Sequence, residues 1–381
     1  MSVSAITDDP RTDRLGKTTG VPISQVAVSV YKIPTDAPES DGTYSWDATT
    51  LVLVEASAGG KTGIGYSYAD TAAATLIRDM LASVVTGSDA LAVPGAWSRM
   101  VEAIRNLGRP GIASMAISAV DSALWDLKAK LFDVSLANLL GTVRDAAPIY
   151  GSGGFTSYSI ERLQEQLGGW ASEGIHCVKM KIGRDPSQDP RRVRAAREAI
   201  GPDTQLFVDA NGAYSRKQAL ALAEVFASES RVSWFEEPVS SDDLDGLRLL
   251  RDRAPAEMDI AAGEYGYDLR YFRRMTDAGA VDVLQADATR CAGITGFLRV
   301  GALCEAHCLP LSAHCAPSLH AQPSCALPVF RHLEYFHDHA RIEEMLFDGA
   351  PIPVGGALRP DPTRPGLGLE FKRQDAARFA V

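Results

Sequence analysis

An α/β fold is predicted for this sequence, with a closed barrel of parallel strands following an N-terminal α+β domain. Short apolar segments recur from residue 148 onward, at intervals of about 22 to 28 residues from the second one, and segments with helical periodicity lie between them. This alternation is typical of βα units on a parallel sheet, and eight such strands favour closure into a barrel. An open doubly wound sheet is the alternative, but no Gly-x-Gly-x-x-Gly sequence follows any predicted strand.

The composition limits the class of protein. The 381 residues are 46% hydrophobic and 23% charged, which is typical of a soluble globular protein with a sizeable core. The formal net charge of −10 disfavours nucleic acids and anionic membranes as partners. No apolar run approaches the ~20 residues that span a bilayer. The six cysteines show no paired spacing, so we expect free thiols in a cytoplasmic protein.

The N-terminal part is predicted in three pieces. Residues 1–20 are polar and lack the apolar segment of a signal peptide, so we expect a loosely ordered lead-in. Residues 21–145 form the α+β domain, in which Gly59-Gly60 joins two strand-like runs as a hairpin and "PTDAPESDGTYSW" is interpreted as a loop. A long helix is predicted from the three- and four-residue apolar spacing of "GIASMAISAVDSALWDLKAKLF". The Pro- and Gly-rich residues 351–381 are expected to return to this domain.

The barrel is predicted within residues 146–350. Its eight strands are short apolar runs whose bounds we place, in chain order, at Pro148–Gly151, Val178–Gly183, Gln205–Asp209, Ser233–Glu237, Asp259–Gly263, Val281–Gln285, Leu309–Ala313 and Arg331–Phe336. In α/β barrels the chemistry lies at the C-terminal ends of the strands. Ionisable side chains stand at those ends in most of these eight runs, which predicts an active site there.

Acidic residues end three consecutive strands. They are Asp209, one of Glu236 and Glu237, and Glu264, and Asn211 shares the face of Asp209. Three carboxylates at one edge repel each other unless a cation lies among them, and oxygen ligands favour Mg²⁺ over Zn²⁺. One such acid alone is more often a helix cap or a surface ion-pair partner. Three in succession predict a metal site.

Basic residues flank these acids. Lys179 and Lys181 lie two residues apart and therefore point to the same side of their strand. An edge strand protected by charge has the same pattern, but the acids on the following strands favour a functional site. A lysine beside a second ammonium group is expected to have a lowered pKa and to act as a base. On the other flank, Asp287 is placed to hold His314 by a hydrogen bond and fix its tautomer.

With these motifs the chain resembles the enolase superfamily, in its mandelate racemase-like subgroup. The resemblance covers most of the chain and is carried by "AISAVDSALWDLKAKLFDVSLANLLG", "KMK", "VDANG", "WFEEP", "QADATR", "SAH" and "HLEYF". It implies a modified TIM barrel, (β/α)7β, with an N-terminal α+β capping domain and one Mg²⁺ in each active site. It further implies that Asp209, Glu236 and Glu264 are the metal ligands.

The same resemblance implies the roles of the other residues. Lys181 is the base for the α-proton on one face, with Lys179 lowering its pKa, and the His314–Asp287 dyad serves the other face. Glu334 hydrogen-bonds the substrate carboxylate or the enediolate. Asp287 stands where the muconate lactonizing-like subgroup has a base lysine, which argues against that branch.

The implied function is Mg²⁺-dependent abstraction of the α-proton of a 2-hydroxy carboxylate. We expect dehydration of an acid sugar to a 2-keto-3-deoxy acid. Racemisation or epimerisation and lactone cycloisomerisation share the enediolate and stay open. A non-catalytic metabolite-binding protein and a zinc amidohydrolase-type barrel are remote alternatives. The family resemblance also implies a small-molecule carboxylate as partner and a homo-oligomer, either a dimer or an octamer.

Substrate specificity is where the sequence departs from the family pattern. Capping-domain loops choose the substrate in this family, and "GIGYSYAD" stands where many relatives have a Gly-Trp-Gly-Glu stretch. We predict substrate contacts from Tyr66, Tyr68 and Tyr158. The segment His337-Asp338-His339 has the spacing of a zinc-hydrolase motif, but it follows the eighth strand and is expected to be a surface feature.

Overall fold

An antiparallel sheet of three strands, packed against helices, forms the N-terminal cap. The computed structural model describes residues 20–381, so the predicted lead-in lies outside the described residues apart from its last position. The strands pair in the order β1-β2-β3, and the predicted turn Gly59–Gly60 joins the last two. The cap elements are β1 Gln25–Ser40, β2 Ser45–Ala58, β3 Lys61–Tyr68, α1 Thr71–Leu76, a π-helical segment Ile77–Leu81, α2 Ala82–Val85, α3 Val93–Ala103, α4 Ile112–Leu131 and α5 Leu136–Leu140.

Helix α4 joins the cap to the barrel. It can lie directly on β3 because Gly63 and Gly65 carry no side chain there. A Cβ at either glycine would lie 2.2–2.3 Å from the backbone of the helix. On the other side of α4, the indole Nε1 of Trp125 donates to Thr295 Oγ1 of the barrel at 2.8 Å. The cap is therefore held at a fixed position over one end of the barrel.

The predicted loop at residues 34–46 is wrong in most of its length. Strand β1 continues through Ser40 and β2 begins at Ser45, so only residues 41–44 form a turn. The pairing register of β1 and β2 shifts between Pro34 and Glu39. Proline is tolerated on an edge strand and at a bulge, and β1 is both the edge strand of this sheet and irregular at that point.

The barrel has the predicted eight parallel strands. Each observed strand begins and ends within 2 residues of its predicted bounds. Seven helices lie between the strands, α6 to α12, and α13 follows the last strand. The elements are β4 Ala147–Gly153, α6 Ile160–Ser172, β5 Cys177–Lys181, α7 Asp189–Ile200, β6 Gln205–Asp209, α8 Arg216–Ser230, β7 Val232–Glu236, α9 Leu244–Arg253, β8 Asp259–Ala262, α10 Leu269–Asp277, β9 Val283–Ala286, α11 Gly293–Ala306, β10 Leu311–Ala313, α12 Pro317–Ser324, β11 Phe330–Phe336 and α13 His337–Leu346.

The sheet closes where β11 pairs with β4 in parallel. Buried aromatic rings fill the barrel below the C-terminal strand ends, with Phe207 stacked on Trp234 at a centroid distance of 5.2 Å and Tyr150 edge-on to Phe207 at 5.5 Å. Phe207 and Trp234 precede Asp209 and Glu236 by two residues. Because side chains alternate along a strand, those acids point into the same interior, directly above the rings.

The C-terminal segment runs back to the cap. Its elements are β12 Phe347–Asp348, β13 Ala357–Leu358, β14 Glu370–Phe371, α14 Arg373–Ala376 and a final 3₁₀ turn Ala377–Phe379. Strand β13 pairs with β4, and the last residue, Val381, donates its backbone N–H to Val30 of β1 at 3.1 Å. Across residues 20–381, every helix is too short or too polar to cross a bilayer.

Candidate active site

A cavity of about 640 Å³ lies between the cap and the C-terminal ends of the barrel strands. Five residues predicted for the site line it, namely Tyr68, Lys181, Asn211, Glu264 and His314. The cap closes over it through the turn at residues 41–44. That turn approaches the barrel so closely that a Cβ on Gly42 would lie 2.5 Å from the carbonyl oxygen of Ala210.

Three carboxylates meet at the strand ends. Asp209, Glu236 and Glu264 are buried, and each offers an oxygen within 4.8 Å of those of the other two. Strand register explains this, because Asp209 of β6 pairs directly with Glu236 of β7. Glu237 lies just after the strand end, with a φ of 38°, and is outside this group of three. Alternation along the strand could not show which of the two glutamates joins Asp209 and Glu264. The geometry shows that it is Glu236.

These three residues fit Mg²⁺. Their donor atoms are all carboxylate oxygens, the ligands that this hard cation prefers. Oε2 of Glu264 is buried and lacks a hydrogen-bond partner among the described residues, as expected for a position that a cation completes. Burial and the neighbouring Asp209 carboxylate raise the pKa of Glu236 well above its usual range. A cation between these groups would remove the repulsion that this shift expresses.

The two lysines of β5 occupy different positions. Lys179 is fully buried, and its Nζ lies 2.5 Å from Glu236 Oε1, 2.7 Å from Glu334 Oε1 and 3.3 Å from Asp209 Oδ2. Lys181 lines the cavity, and its Nζ contacts Asp209 Oδ2 at 2.5 Å. Lys179 therefore organises the carboxylates, whereas Lys181 is the lysine that a bound molecule can reach.

The expected net lowering of the Lys181 pKa is wrong for this arrangement. Burial lowers the pKa of the ammonium group and the charge of Lys179 lowers it further, but the carboxylates of Asp209, Glu264 and Glu334 together outweigh both and hold it above its usual range. The prediction considered the charge of the second lysine only. It missed Asp209, which pairs with Lys181 across strands β5 and β6.

His314 and Asp287 form the predicted dyad on the other side of the acids. His314 Nδ1 lies 2.9 Å from Asp287 Oδ2. Burial raises the pKa of Asp287, but the hydrogen bond from His314 together with the positive charge of the groups around it, Arg290 among them, holds that pKa below its usual range. An ionised carboxylate only accepts, so Nδ1 carries the proton and Nε2 offers a lone pair. Nε2 lies 3.3 Å from Glu264 Oε2, at the edge of the carboxylate group.

Glu334 lies behind the cavity wall. Its Oε1 accepts from Ser152 Oγ at 2.6 Å and from Lys179, and its Oε2 accepts from the backbone N–H of Cys315 at 3.0 Å. It is fully buried and is absent from the residues that line the cavity. A direct substrate contact was predicted for Glu334. Its oxygens instead bind Lys179 and its neighbours and the backbone beside His314.

Two of the three predicted substrate tyrosines lie away from the cavity. Tyr66 is buried in the cap and donates to Glu343 Oε1 at 2.8 Å. Tyr158 packs against Phe155 outside the barrel mouth, and its hydroxyl accepts from Arg162 at 3.1 Å. Both predictions are corrected here, because each ring belongs to a packed apolar cluster. Tyr68, next but one after Tyr66 on β3, does line the cavity.

The segment His337–His339 is partly inside the molecule, where a surface feature was expected. Helix α13 starts immediately after β11, so its first turn lies beneath the cap. Asp338 is fully buried, and His339 lines the cavity with its ring stacked on Tyr68 at a centroid distance of 3.5 Å. The available signal was position, since a polar first turn after the last barrel strand must face the mouth of the barrel.

Other residues complete the wall. Arg290 lines the cavity and lies 3.3 Å from Glu264 Oε1 and 3.7 Å from Asp287 Oδ2. His320 is absent from the wall. Its Nε2 accepts from the backbone N–H of Ala288 at 2.8 Å, so it fixes the loop after β9.

Family comparisons agree with this geometry. Residues 162–376 match the family described as enolase C-terminal domain-like, and residues 13–141 match the mandelate racemase / muconate lactonizing enzyme N-terminal domain. A 3,6-anhydro-alpha-L-galactonate cycloisomerase from Streptomyces coelicolor is 31% identical over 369 residues, covering 94% of this chain and 99% of the relative. An L-talarate/galactarate dehydratase from Salmonella typhimurium is 31% identical over 335 residues, covering 85% and 83%.

Solved structures show the same fold. A mandelate racemase/muconate lactonizing enzyme-like protein from Rubrobacter xylanophilus is 58% identical, with a TM-score of 0.93 over 94% of this chain and 100% of that one. A racemase from Streptomyces coelicolor with bound magnesium is 30% identical, with a TM-score of 0.88 and the same coverage. Magnesium is the active-site metal of this family. The chain belongs to the enolase superfamily, in its mandelate racemase-like subgroup.

Proposed function

We propose that this protein is a Mg²⁺-dependent enzyme that removes the α-proton of a 2-hydroxy carboxylate, and that it dehydrates an acid sugar to a 2-keto-3-deoxy acid. The observation that carries the proposal is a cavity lined by Lys181, His314 and Glu264, with Asp209 and Glu236 grouped behind its wall so that their oxygens lie within 4.8 Å of those of Glu264. Asp209, Glu236 and Glu264 would hold the Mg²⁺. When bound, Mg²⁺ supplies positive charge that acidifies the α-proton and stabilises the negative charge formed on the carboxylate.

Lys181 and His314 are the proposed proton carriers. Both line the cavity, on the two sides of the acids in the strand order, so that each addresses its own face of a bound substrate. Lys181 Nζ is the proposed base on one face, since a cation held by Asp209 and Glu264 would offset the carboxylate charge that raises the pKa of this lysine. On the other face His314 Nε2 presents a lone pair, with Cys315 Sγ 3.3 Å away, and Asp287 fixes the ring and stabilises its protonated form.

Dehydration balances with these groups. One base removes the α-proton from C2, and protonated His314 gives a proton to the departing 3-hydroxyl, which leaves as water. The resulting enol tautomerises to the 2-keto-3-deoxy acid. Lys179 and Glu334 act behind the wall by holding the carboxylates and the chain next to His314 in place.

Two further reactions need the same residues. In racemisation or epimerisation, the opposite base returns the proton to C2. In lactone cycloisomerisation, a ring oxygen leaves where the hydroxyl leaves in dehydration. The similar proteins named above include a dehydratase, a cycloisomerase and a racemase, which supports this set of outcomes. Dehydration is preferred over the other two reactions because His314, when protonated, can give its proton to the departing hydroxyl. Its Nε2 lies beside Cys315 and Glu264.

Proton NMR in D₂O with Mg²⁺ tests the proposal. Pools of mono- and dicarboxylate acid sugars and their lactones are incubated with the enzyme and, as control, with the Lys181→Ala variant. Loss of the C2 proton signal together with new methylene signals establishes dehydration. Exchange at C2 on an unchanged skeleton establishes racemisation or epimerisation. No exchange with any 2-hydroxy acid would contradict the proposal and favour a metabolite-binding protein.

We also propose that the working form is a homo-oligomer, a dimer or an octamer, as the family resemblance implies. Light scattering on the eluted full chain tests this, since the monomer mass is 40.8 kDa. A monomer at micromolar concentration would contradict it.

A further inference from the structure

The cap-facing half of the cavity limits the class of substrate, an inference that rests on the proposed function. Two permanent cations line the cavity within residues 20–381, and both are already paired. Lys181 contacts Asp209, and Arg290 lies between Glu264 and Asp287. Their positive charge is therefore committed to the carboxylates at the strand ends.

The cap contributes carboxylates and neutral groups. Asp41 and Asp70 are its charged residues on the described wall. Asp41 Oδ1 accepts the backbone N–H groups of Thr43 and Tyr44, each at 2.6 Å, which holds the turn over the cavity. The other cap residues on the described wall are uncharged. Six carry a hydroxyl or an aromatic ring, Thr43, Tyr44, Trp46, Thr49, Thr50 and Tyr68, and five are small or apolar, Ala48, Ala69, Gly111, Ile112 and Met115. A substrate carboxylate at the cap end would lie near the two negative charges of Asp41 and Asp70. Among the described residues, no unpaired cation on the wall would balance it.

The imidazole of His339 adds a neutral hydrogen-bond donor to this wall. Its Nδ1 accepts the backbone N–H of Ala316 at 3.2 Å, so Nδ1 is unprotonated and the proton of the neutral ring is on Nε2. Burial supports this state, because it lowers the pKa of His339 to about 3. The ring is stacked on Tyr68, and no described residue accepts from Nε2. Since the side chain lines the cavity, that N–H is available to a bound molecule.

We propose that this cavity takes acid sugars with a single carboxylate, and that His339 Nε2–H donates a hydrogen bond to a hydroxyl group at their uncharged end. The reacting carboxylate belongs at the barrel end, where the three acids and their proposed cation lie. An uncharged polyol end matches the hydroxyl-rich cap. Burying a second carboxylate without a counter-charge is costly, which disfavours sugar diacids.

Matched substrate pairs test the charge preference. Each pair has one carbon skeleton and differs only in the oxidation of the terminal carbon: galactonate and galactarate, gluconate and glucarate, mannonate and mannarate. Binding to the Mg²⁺-loaded Lys181→Ala variant is measured by calorimetry, and turnover by the unmodified enzyme is measured by NMR. We expect the monoacid to bind at least about tenfold more tightly in any pair that binds.

The outcomes separate the two proposals. A diacid that binds and reacts as well as its monoacid overturns the charge preference and leaves the proposed function intact. This result would mean that a cation from residues outside the described range or from a second copy reaches the cavity. If no 2-hydroxy acid binds or exchanges, the proposed function fails and this inference fails with it.

Variants of the two histidines of α13 test the second part. His339→Leu is expected to raise KM for the monoacid at least about tenfold, the cost of one lost buried hydrogen bond, with a smaller change in kcat. His339→Gln keeps an N–H donor and should recover part of the loss. His337→Gln is the matched control, because His337 lies two residues away, pairs with Asp36 and is absent from the described wall.

A measurement on the ligand side keeps the test valid if His339→Leu does not fold. Single-deoxy analogues of the monoacid are compared on the unmodified enzyme and on His339→Gln. Removal of the hydroxyl that His339 binds should cost less affinity in the variant than in the unmodified enzyme, as a double-mutant cycle. Equal losses for every analogue would overturn the role of His339.

Discussion

The two halves of the cavity are built differently. At the barrel end, carboxylates and cations form a dense buried network in which Lys179 alone contacts three acids within 3.3 Å. At the cap end, the wall is hydroxyls, aromatic rings, apolar side chains such as Ile112 and Met115, and a neutral imidazole, with two carboxylates. The barrel half fixes protons and negative charge, which any enediolate reaction needs. The cap half contains none of the proposed metal ligands or proton carriers.

The largest expected effects come from removing a proton carrier in the barrel half. We expect Lys181→Ala and His314→Asn each to lower kcat by about 10³-fold or more, within the range that positioned acid–base groups contribute. Circular dichroism and calorimetric Mg²⁺ binding check that fold and metal site persist. Full turnover by either variant would remove that residue from the proposed mechanism.

A ligand substitution should have the next largest effect. Glu236→Gln is expected to weaken Mg²⁺ binding by at least about 100-fold. Losing a residue that only hydrogen-bonds a metal ligand costs about 10- to 100-fold, and losing a ligand itself should cost more. Glu237→Gln is the matched control, because Glu237 is adjacent in sequence and equally buried but outside the group of three. Mg²⁺ affinity is measured by calorimetry without substrate. Equal losses in the two variants would mean that the assignment of Glu236 is wrong.

Sequence reasoning reached most of the barrel half because its geometry is periodic. Strand spacing located all eight strands, and parallel strands bring their C-terminal ends to one edge, so Asp209 and Glu264 were expected together. Periodicity could not choose between Glu236 and Glu237, since that choice depends on the register between β6 and β7. It also missed the sign of the Lys181 pKa shift, which depends on the same cross-strand pairing.

The cap half was mostly beyond sequence reasoning because packing between distant segments creates it. His339 reaches the cavity only because α13 lies beneath β3, which is more than 270 residues earlier in the chain. Tyr66 and Tyr158 are aromatic residues near the mouth in sequence order, but packing turns both rings away from it. Tyr66 and Tyr68 share one face of β3, so alternation cannot separate them, and only the packing of the cap shows that Tyr68 lines the cavity.

A smaller effect is expected from Asp287→Asn, which keeps the shape of the dyad and removes its charge. The amide can accept from His314 Nδ1 or donate to it, so the required tautomer is no longer fixed. We expect kcat to fall about 10- to 100-fold, the range for removing an outer partner of this kind. A kcat equal to that of the parent would mean that Asp287 only supports the loop.

The smallest effect on turnover is expected at the junction of the two halves. Glu343 of α13 accepts from Tyr66 and Tyr68 of the cap at 2.8 and 3.2 Å and from the backbone N–H of Ser318 at 2.7 Å. Burial raises its pKa from 4.5 to about 7. Between these values the native state keeps a proton that the unfolded state has lost. The free energy of unfolding therefore falls as pH rises through this window.

Glu343→Gln cannot titrate and should lose this part of the pH dependence. The difference in unfolding free energy between variant and parent should change by at most ~3 kcal/mol between pH 4.5 and pH 7, in favour of the variant at the higher pH. Urea unfolding at constant Mg²⁺ measures it, with the exposed neighbour Glu344→Gln as control. A parallel pH dependence of variant and parent would mean that Glu343 stays ionised in the fold. The tyrosine hydroxyls would then bind the cap to the barrel through a charged acceptor, and the junction would belong electrostatically with the barrel half.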